Sequence, residues 1–360
     1  MVDTMALLPA FIRPTRMKRI ASRPAVPPAD DEVLLDAPDD RLGPALVAAG
    51  RGEYGAAAEL LAATRAAAEW ENRDRYARRL AAFARSRAEW FGQWRSEAPD
   101  DPDGLLVGAQ LAVDRAWPSP ARAELLRDVS PLITAAARAD ERDPVPWRIA
   151  LDHARGSNAG PRYFEELWAA AVRRAPHHYG CHVAALRYLA ASCCVLWGDT
   201  PHTPRGSHRE CFDFADLAAQ DAPPDSLVQA LPARAALGYL TDGCGPEVER
   251  ERLDAAADRA IVFCARFPAA DPWPAEIRNK LMYVLVRLGR HQDALAQLRL
   301  IGPYATSFPW DRLSDDPLGH FLRLRAELLT TARPAPETRL IPPPRQPLTG
   351  RGGHAHAGDH

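Results

Sequence analysis

Between positions 177 and 211 the chain concentrates side chains able to ligate a metal or carry a proton: His177, His178, Cys181, His182, Cys193, Cys194, His202, His208 and Cys211. On a helix, His178 and His182 share one face, a workable spacing for two zinc or iron ligands, with Cys181 and Cys211 as candidate thiolates. No glutamate completes a His-Glu-x-x-His pattern, and the Cys and His spacings match neither a zinc finger nor a zinc ribbon. Helix-opening histidines and small buried cysteines account for the same residues without a metal. The expectation is therefore no metal and no cofactor.

Two other groups invite a chemical reading. Ser207 and His208 are adjacent, as in a nucleophile and its base, but neighbouring residues point in different directions and no Gly-x-Ser-x-Gly elbow surrounds them. Ser207 with Glu210 reads better as a capping box, Ser-x-x-Glu, at the start of an apolar helix. Trp90, Phe91 and Trp94 form an aromatic stripe with Arg85, Arg87 and Arg95 nearby, which could stack bases. Their spacing is that of a buried helix face. The arginines alternate with Glu69, Glu71, Asp74, Glu89 and Glu97 as on a solvated surface. His354, His356 and His360 lie in a tail. Neither a Gly-x-Gly-x-x-Gly nor a Gly-x-x-x-x-Gly-Lys loop is present, which argues against nucleotide chemistry.

The elements that must position these groups are helices. Tyr76, Leu80, Phe83, Trp90, Phe91 and Trp94 recur at steps of three and four. Asp143-Pro144 supplies a helix start ahead of Trp147, Ala150, Leu151 and Ala154. Further helical patterns cover about 53–69, 103–116, 120–139, 161–175, 179–196, 208–220, 232–241, 247–267, 274–288, 291–301 and 317–331. Period-two alternation of β-branched residues is missing, so no sheet is expected. Gly52, Tyr54 and Ala57, and again Gly289, His291 and Ala294, have the turn and second-helix spacing of a tetratricopeptide repeat. Between them no 34-residue period is visible. The fold expected is all-α, a tetratricopeptide-like α-solenoid of stacked helical hairpins that is degenerate in its middle.

Composition sets the outer limits. The chain has 360 residues, 47% hydrophobic and 26% charged, enough apolar material for a sizeable core. A net charge of −2 offers no field for nucleic acid or an anionic membrane. No run approaches the roughly 20 apolar residues of a membrane span. The stretch from Met5 to Ile12 is short, broken by Pro9 and followed rather than preceded by its charges, unlike a secretory signal. Met5 and Met17 offer alternative starts. The cysteines form no Cys-x-x-Cys pair, and in an intracellular setting they read as reduced hydrophobes. Residues 1–40 read as a flexible leader, 41–332 as a helical-repeat domain and 333–360 as a disordered Pro/Gly/His tail. The expected location is cytoplasmic.

Asp143-Pro-Val-Pro-Trp147, Pro176-His177-His178, Gly206-Ser207-His208-Arg-Glu210 and Phe212-Asp-Phe214-Ala215 together resemble a group of uncharacterised actinobacterial tetratricopeptide-like proteins. In that group aromatics precede the Gly-Ser-His-x-Glu segment, where this chain has Pro204 and Arg205. The resemblance implies a helical fold and a protein-interaction role, with no catalytic residues. The resulting expectation is a non-catalytic module binding a protein or peptide, with His177, His178, His182, His208 and Glu210 as candidate partner-binding residues. The alternative is a metal-dependent enzyme or metal-binding protein built on residues 177–211.

Overall fold

A computed structural model describes residue 29 and residues 32–190, 207–242 and 248–331. Cys193, Cys194, His202, Pro204, Arg205, Cys244 and the histidines of the tail lie outside these residues. The described chain is all-helical apart from one minimal strand pair. Its helices are α1 (Leu42–Gly50), α2 (Gly55–Ala66), α3 (Trp70–Ser86), α4 (Glu89–Glu97), α5 (Pro102–Ala116), α6 (Arg122–Ala139), α7 (Val145–Gly156) and α8 (Pro161–Arg174). They continue as α9 (Tyr179–Ala190), α10 (His208–Asp221), α11 (Leu231–Asp242), α12 (Arg250–Cys264), α13 (Ala275–Arg287), α14 (His291–Ile301), α15 (Ser307–Leu313) and α16 (Pro317–Thr331). None is long and apolar enough to cross a membrane.

Local chemistry explains several boundaries. Asp101 caps α5, its Oδ1 accepting from the N–H groups of Asp103 (2.9 Å) and Gly104 (2.8 Å), with Pro102 at the first helical position. At α10 both halves of the capping box form: Glu210 N–H donates to Ser207 Oγ (3.2 Å) and Ser207 N–H donates to the Glu210 carboxylate (2.7 Å). The turns after α1 and α13 require the left-handed region, which Gly52 (φ 94°) and Gly289 (φ 71°) enter without a Cβ penalty.

Each odd-numbered helix packs on the even-numbered helix that follows it, and α3, α5, α7, α9, α11 and α13 also touch one another in succession. Alanine makes this close row possible. Ala57, Ala77, Ala81, Ala84 and Ala154 are fully buried and let neighbouring helices approach. Three successive apolar clusters line the stack rather than one central nucleus. The aromatic stripe belongs to the first: Trp90 and Trp94 are fully buried with ring centroids 6.1 Å apart, and Tyr54 stacks on Trp94 at 5.7 Å. Full burial of such side chains stabilises by about 1.5–3 kcal/mol each.

One boundary moves. Residues 33–36, expected within a flexible leader, pack onto the far end of the chain, and Asp39 pairs with Arg75 of α3. β1 (Leu34–Leu35) pairs in parallel with β2 (Tyr304–Ala305), and Val33 is buried in the C-terminal cluster. Asp36 accepts from the N–H and hydroxyl of Ser307 and pairs with Arg79 of α3 at 2.8 Å. The segment thus straps the two ends of the stack together.

Candidate functional site

The row of odd-numbered helices brings charge to one place. Arg73, Asp74 and Arg78 all come from α3, a helix whose Arg and Asp residues fall on its packed side as well as its solvated one. Arg73 is buried between two carboxylates, Asp103 of α5 (2.6 Å) and Asp143 ahead of α7 (2.6 Å), and also donates to the carbonyl of Leu61 (2.9 Å). The next residue begins a second chain of pairs. Asp74 accepts from Arg148 of α7 at 2.6 Å, and Arg148 reaches Asp152 one turn on at 3.3 Å. Arg155 and, from α9, Arg187 stand 3.9 Å from the same Asp152 carboxylate. A third group forms where α11 meets α13: Arg234 lies 2.9 Å and Lys280 3.4 Å from Glu276.

These groups join around α9. The N–H of Tyr179 donates to Glu71 of α3, while its phenol oxygen accepts from Lys280 of α13. The first and last helices of the row therefore meet at one residue, and the row curls around a polar interior. Gly180 makes the approach possible, since an added Cβ would stand 2.2 Å from Oδ2 of Asp74.

The electrostatics follow from burial against pairing. Burial works to raise the Asp74 carboxyl, but Arg148 and Arg78 overcome it and hold the group at about 2. Burial is likewise overcome at Glu276, held at about 2 by Lys280 and Arg234. Arg187 is pushed well down, by burial first and then by the neighbouring Arg234. Asp114 of α5 is raised by burial, an effect its bond with Gln110 opposes. Two members stay open to solvent: Arg78 keeps 37% and Glu276 44% of its side chain accessible, whereas Arg73, Arg148 and Lys280 are sealed. Arg78 and Glu276 thus lie deep among protein atoms yet are reached by solvent, and the arrangement is a charged cleft with two accessible groups inside it.

The histidines and cysteines singled out in the sequence are distributed differently. His178 is buried 3.8 Å from Glu71, with Nε2 3.3 Å from the Trp70 carbonyl and Nδ1 3.2 Å from Cys181 Sγ. Burial disfavours its charge, but Glu71 and then Cys181 raise it to about 10. His182 is buried against Trp168 and Phe214 with Nδ1 3.0 Å from the His178 carbonyl, and burial takes it down to about 4. His208 is buried 5.1 Å from the Tyr239 ring, Glu210 is exposed in its capping box, and His177 is half-buried in the turn before α9. Cys211 lies in the C-terminal apolar cluster. So His178 and Cys181 come together beside the charged cleft, while His208 and Glu210 do not join them. Among the described residues no three His, Cys, Asp or Glu side chains gather as a metal site.

Asp74 and Glu71, read from the sequence as part of a solvated face, instead face the interior. The signal that marks the cleft is the spacing of opposite charges four apart on helices of the row: Asp74 with Arg78, Arg148 with Asp152, Glu276 with Lys280. Comparison with protein-family models, curated proteins and solved structures gave no match, so a functional reading rests on this chain's own geometry.

Proposed function

We propose that the chain is a cytoplasmic, non-catalytic interaction module of tetratricopeptide type, which holds a protein or peptide partner on the charged cleft of its odd-numbered helices. The observation that carries this reading is the accessibility of Arg78 and Glu276 within an ion-pair network whose central members Arg73, Arg148 and Lys280 are sealed. Such a network holds its outermost charges in fixed positions, so a partner binds a preformed pattern and loses little to ordering it. The alternating helix packing and the left-handed glycines at Gly52 and Gly289 support the repeat architecture. They also agree with the resemblance to the actinobacterial helical group. In this reading His178 acts indirectly, by fixing Glu71 and through it Tyr179.

The test is capture of partners from native cells with the wild-type chain and with an Arg78→Gln/Glu276→Gln double variant, followed by mass spectrometry. Glu276→Gln withdraws the counter-charge of the buried Lys280 and Arg234, so the variant is expected to melt lower than the wild type, and circular dichroism at the capture temperature establishes that it is folded. The reading expects specific partners to be lost from the variant. An unchanged partner set from a folded variant sinks it.

A further inference from the structure

Away from the charged cleft, α6, α7 and α8 enclose a cavity of about 420 Å³ open to solvent on one side. Its volume lies within the range of small-ligand sites. Ile133 of α6, Trp147 and Ala150 of α7, and Leu167 of α8 form the apolar part of the wall, Ser130 and Thr134 of α6 add hydroxyls, and Tyr163 stands at the opening, 46% exposed.

The rim is cationic. Arg174, the last residue of α8, lays its guanidinium over the Trp147 ring at 4.3 Å. Its N–H groups go to two backbone carbonyls, Glu141 at 2.7 Å and Ala170 at 2.8 Å. Carbonyls satisfy hydrogen bonds without neutralising the charge, and Arg174 forms no ion pair among the described residues. Burial and then the adjacent Arg173 lower its pKa, against a smaller opposing effect of the Glu141 carboxylate. Arg138 of α6 stands on the same rim and also forms no ion pair among the described residues; Glu141 is the acidic residue of the lining, and its carboxylate acts on Arg174 through space without closing an ion pair. Deeper in, Nε2 of His153 is 2.7 Å from the Leu126 carbonyl, which makes Nε2 the protonated nitrogen of the neutral ring. Burial lowers the His153 pKa and so favours that neutral form.

We infer that this cavity is a binding site for an amphipathic organic monoanion, an alkyl or aryl carboxylate whose apolar body packs between Trp147, Ile133 and Leu167 and whose carboxylate meets Arg174 and Arg138. An apolar wall alone would accept any hydrophobe. The guanidinium already ordered on an indole adds a directional, charge-assisted contact that an uncharged analogue lacks. The site is separate from the charged cleft and does not depend on what that cleft binds.

Octanoate, with 1-octanol as its uncharged counterpart, tests the assignment by isothermal titration calorimetry on the full chain. Octanoate is expected to bind at a single site and about tenfold or more tighter than octanol, the ratio that a charge-assisted hydrogen bond supplies. Arg174→Gln should reduce that preference and Arg138→Gln/Arg174→Gln should abolish it, with octanol still bound. Ala137→Trp, which fills the cavity from the half-exposed side of α6, should remove binding of both, with circular dichroism showing that each variant folds. Equal binding of the two probes, no binding of either to the wild-type chain, or binding untouched by a folded Ala137→Trp variant would each overturn the inference.

Discussion

Lys280 on α13 donates to the phenol oxygen of Tyr179 on α9, a residue 101 positions earlier, and its ammonium is completely buried. Glu276 lies one turn away and supplies the charge, while the phenol supplies a directed acceptor. Because Tyr179 also donates its backbone N–H to Glu71 on α3, this contact closes the helix row on itself.

Removal of the phenol oxygen should therefore be felt by the whole stack. Tyr179→Phe leaves the ring in place but deprives a buried ammonium of one acceptor, at a cost of about 1–3 kcal/mol. Urea denaturation would read this as a lowered midpoint with an unchanged slope. A loss below the error of the method would show that Lys280 needs Glu276 alone.

Arg73 offers a sharper case. Both of its carboxylates are buried, so Arg73→Met leaves Asp103 with only Arg65 at 3.2 Å and takes from Asp143 its one ion-pair partner among the described residues. Breaking a buried pair in this way costs about 3–5 kcal/mol. The loss should be partly recovered by Asp143→Asn in the same chain, because the stranded charge is then removed. A double variant no more stable than Arg73→Met would argue against the charge explanation.

Glycine substitutions should separate conformation from space. At Gly289 an added Cβ meets nothing within 4 Å, so Gly289→Ala carries only the left-handed backbone strain, about 1 kcal/mol. At Gly180 the added Cβ collides with the Asp74 carboxylate, which has no room to move without leaving Arg148. Gly180→Ala should lower the melting temperature considerably more than Gly289→Ala. The reverse order would contradict the packing described between α3 and α9.

Acid should act first through His182. Its folded pKa of about 4 lies below the ordinary value of 6.5, so between those pH values the unfolded chain binds more protons than the folded one. Stability from this group is complete above pH 6.5 and falls as pH drops towards 4, by up to about 3 kcal/mol at 1.36 kcal/mol per pKa unit. His178, raised to about 10, acts on the opposite side: its contribution is complete below pH 6.5 and is lost as pH rises through 10. Asp74 and Glu276, held at about 2 against ordinary values of 3.8 and 4.5, contribute fully above those values and lose that contribution as pH falls from them through 2. His182→Phe suits the Trp168 and Phe214 surroundings and should flatten the dependence of stability on pH between 6.5 and 4; identical slopes for the two chains would remove His182 as the cause.

Much of the helical pattern was legible beforehand. The expected segments 103–116, 161–175 and 291–301 become Pro102–Ala116, Pro161–Arg174 and His291–Ile301, because caps, prolines and apolar period act within a few residues. The strap was not legible. Val33 and Asp36 sit in a Pro- and Asp-rich stretch with no period, and their partners Tyr304 to Ser307 are supplied from the other end of the chain.

The sequence by itself determined that this chain is helical, where many of its helices lie, that Ser207 and Glu210 cap one of them, and that Trp90 and Trp94 are core, but not the break between α3 and α4 after Ser86 or the short helix α15. Those outcomes depend on neighbours one to four residues apart. Only the tertiary structure decided which charges turn inward. Asp74 and Glu89 look alike in the sequence, yet one is sealed against Arg148 and the other faces solvent. A single helix presents several faces, and which of them is buried depends on the helices that arrive beside it. The charged cleft, with contributions from α3, α5, α7, α9, α11 and α13, exists only once those helices have packed in a row that closes through Tyr179 and Lys280.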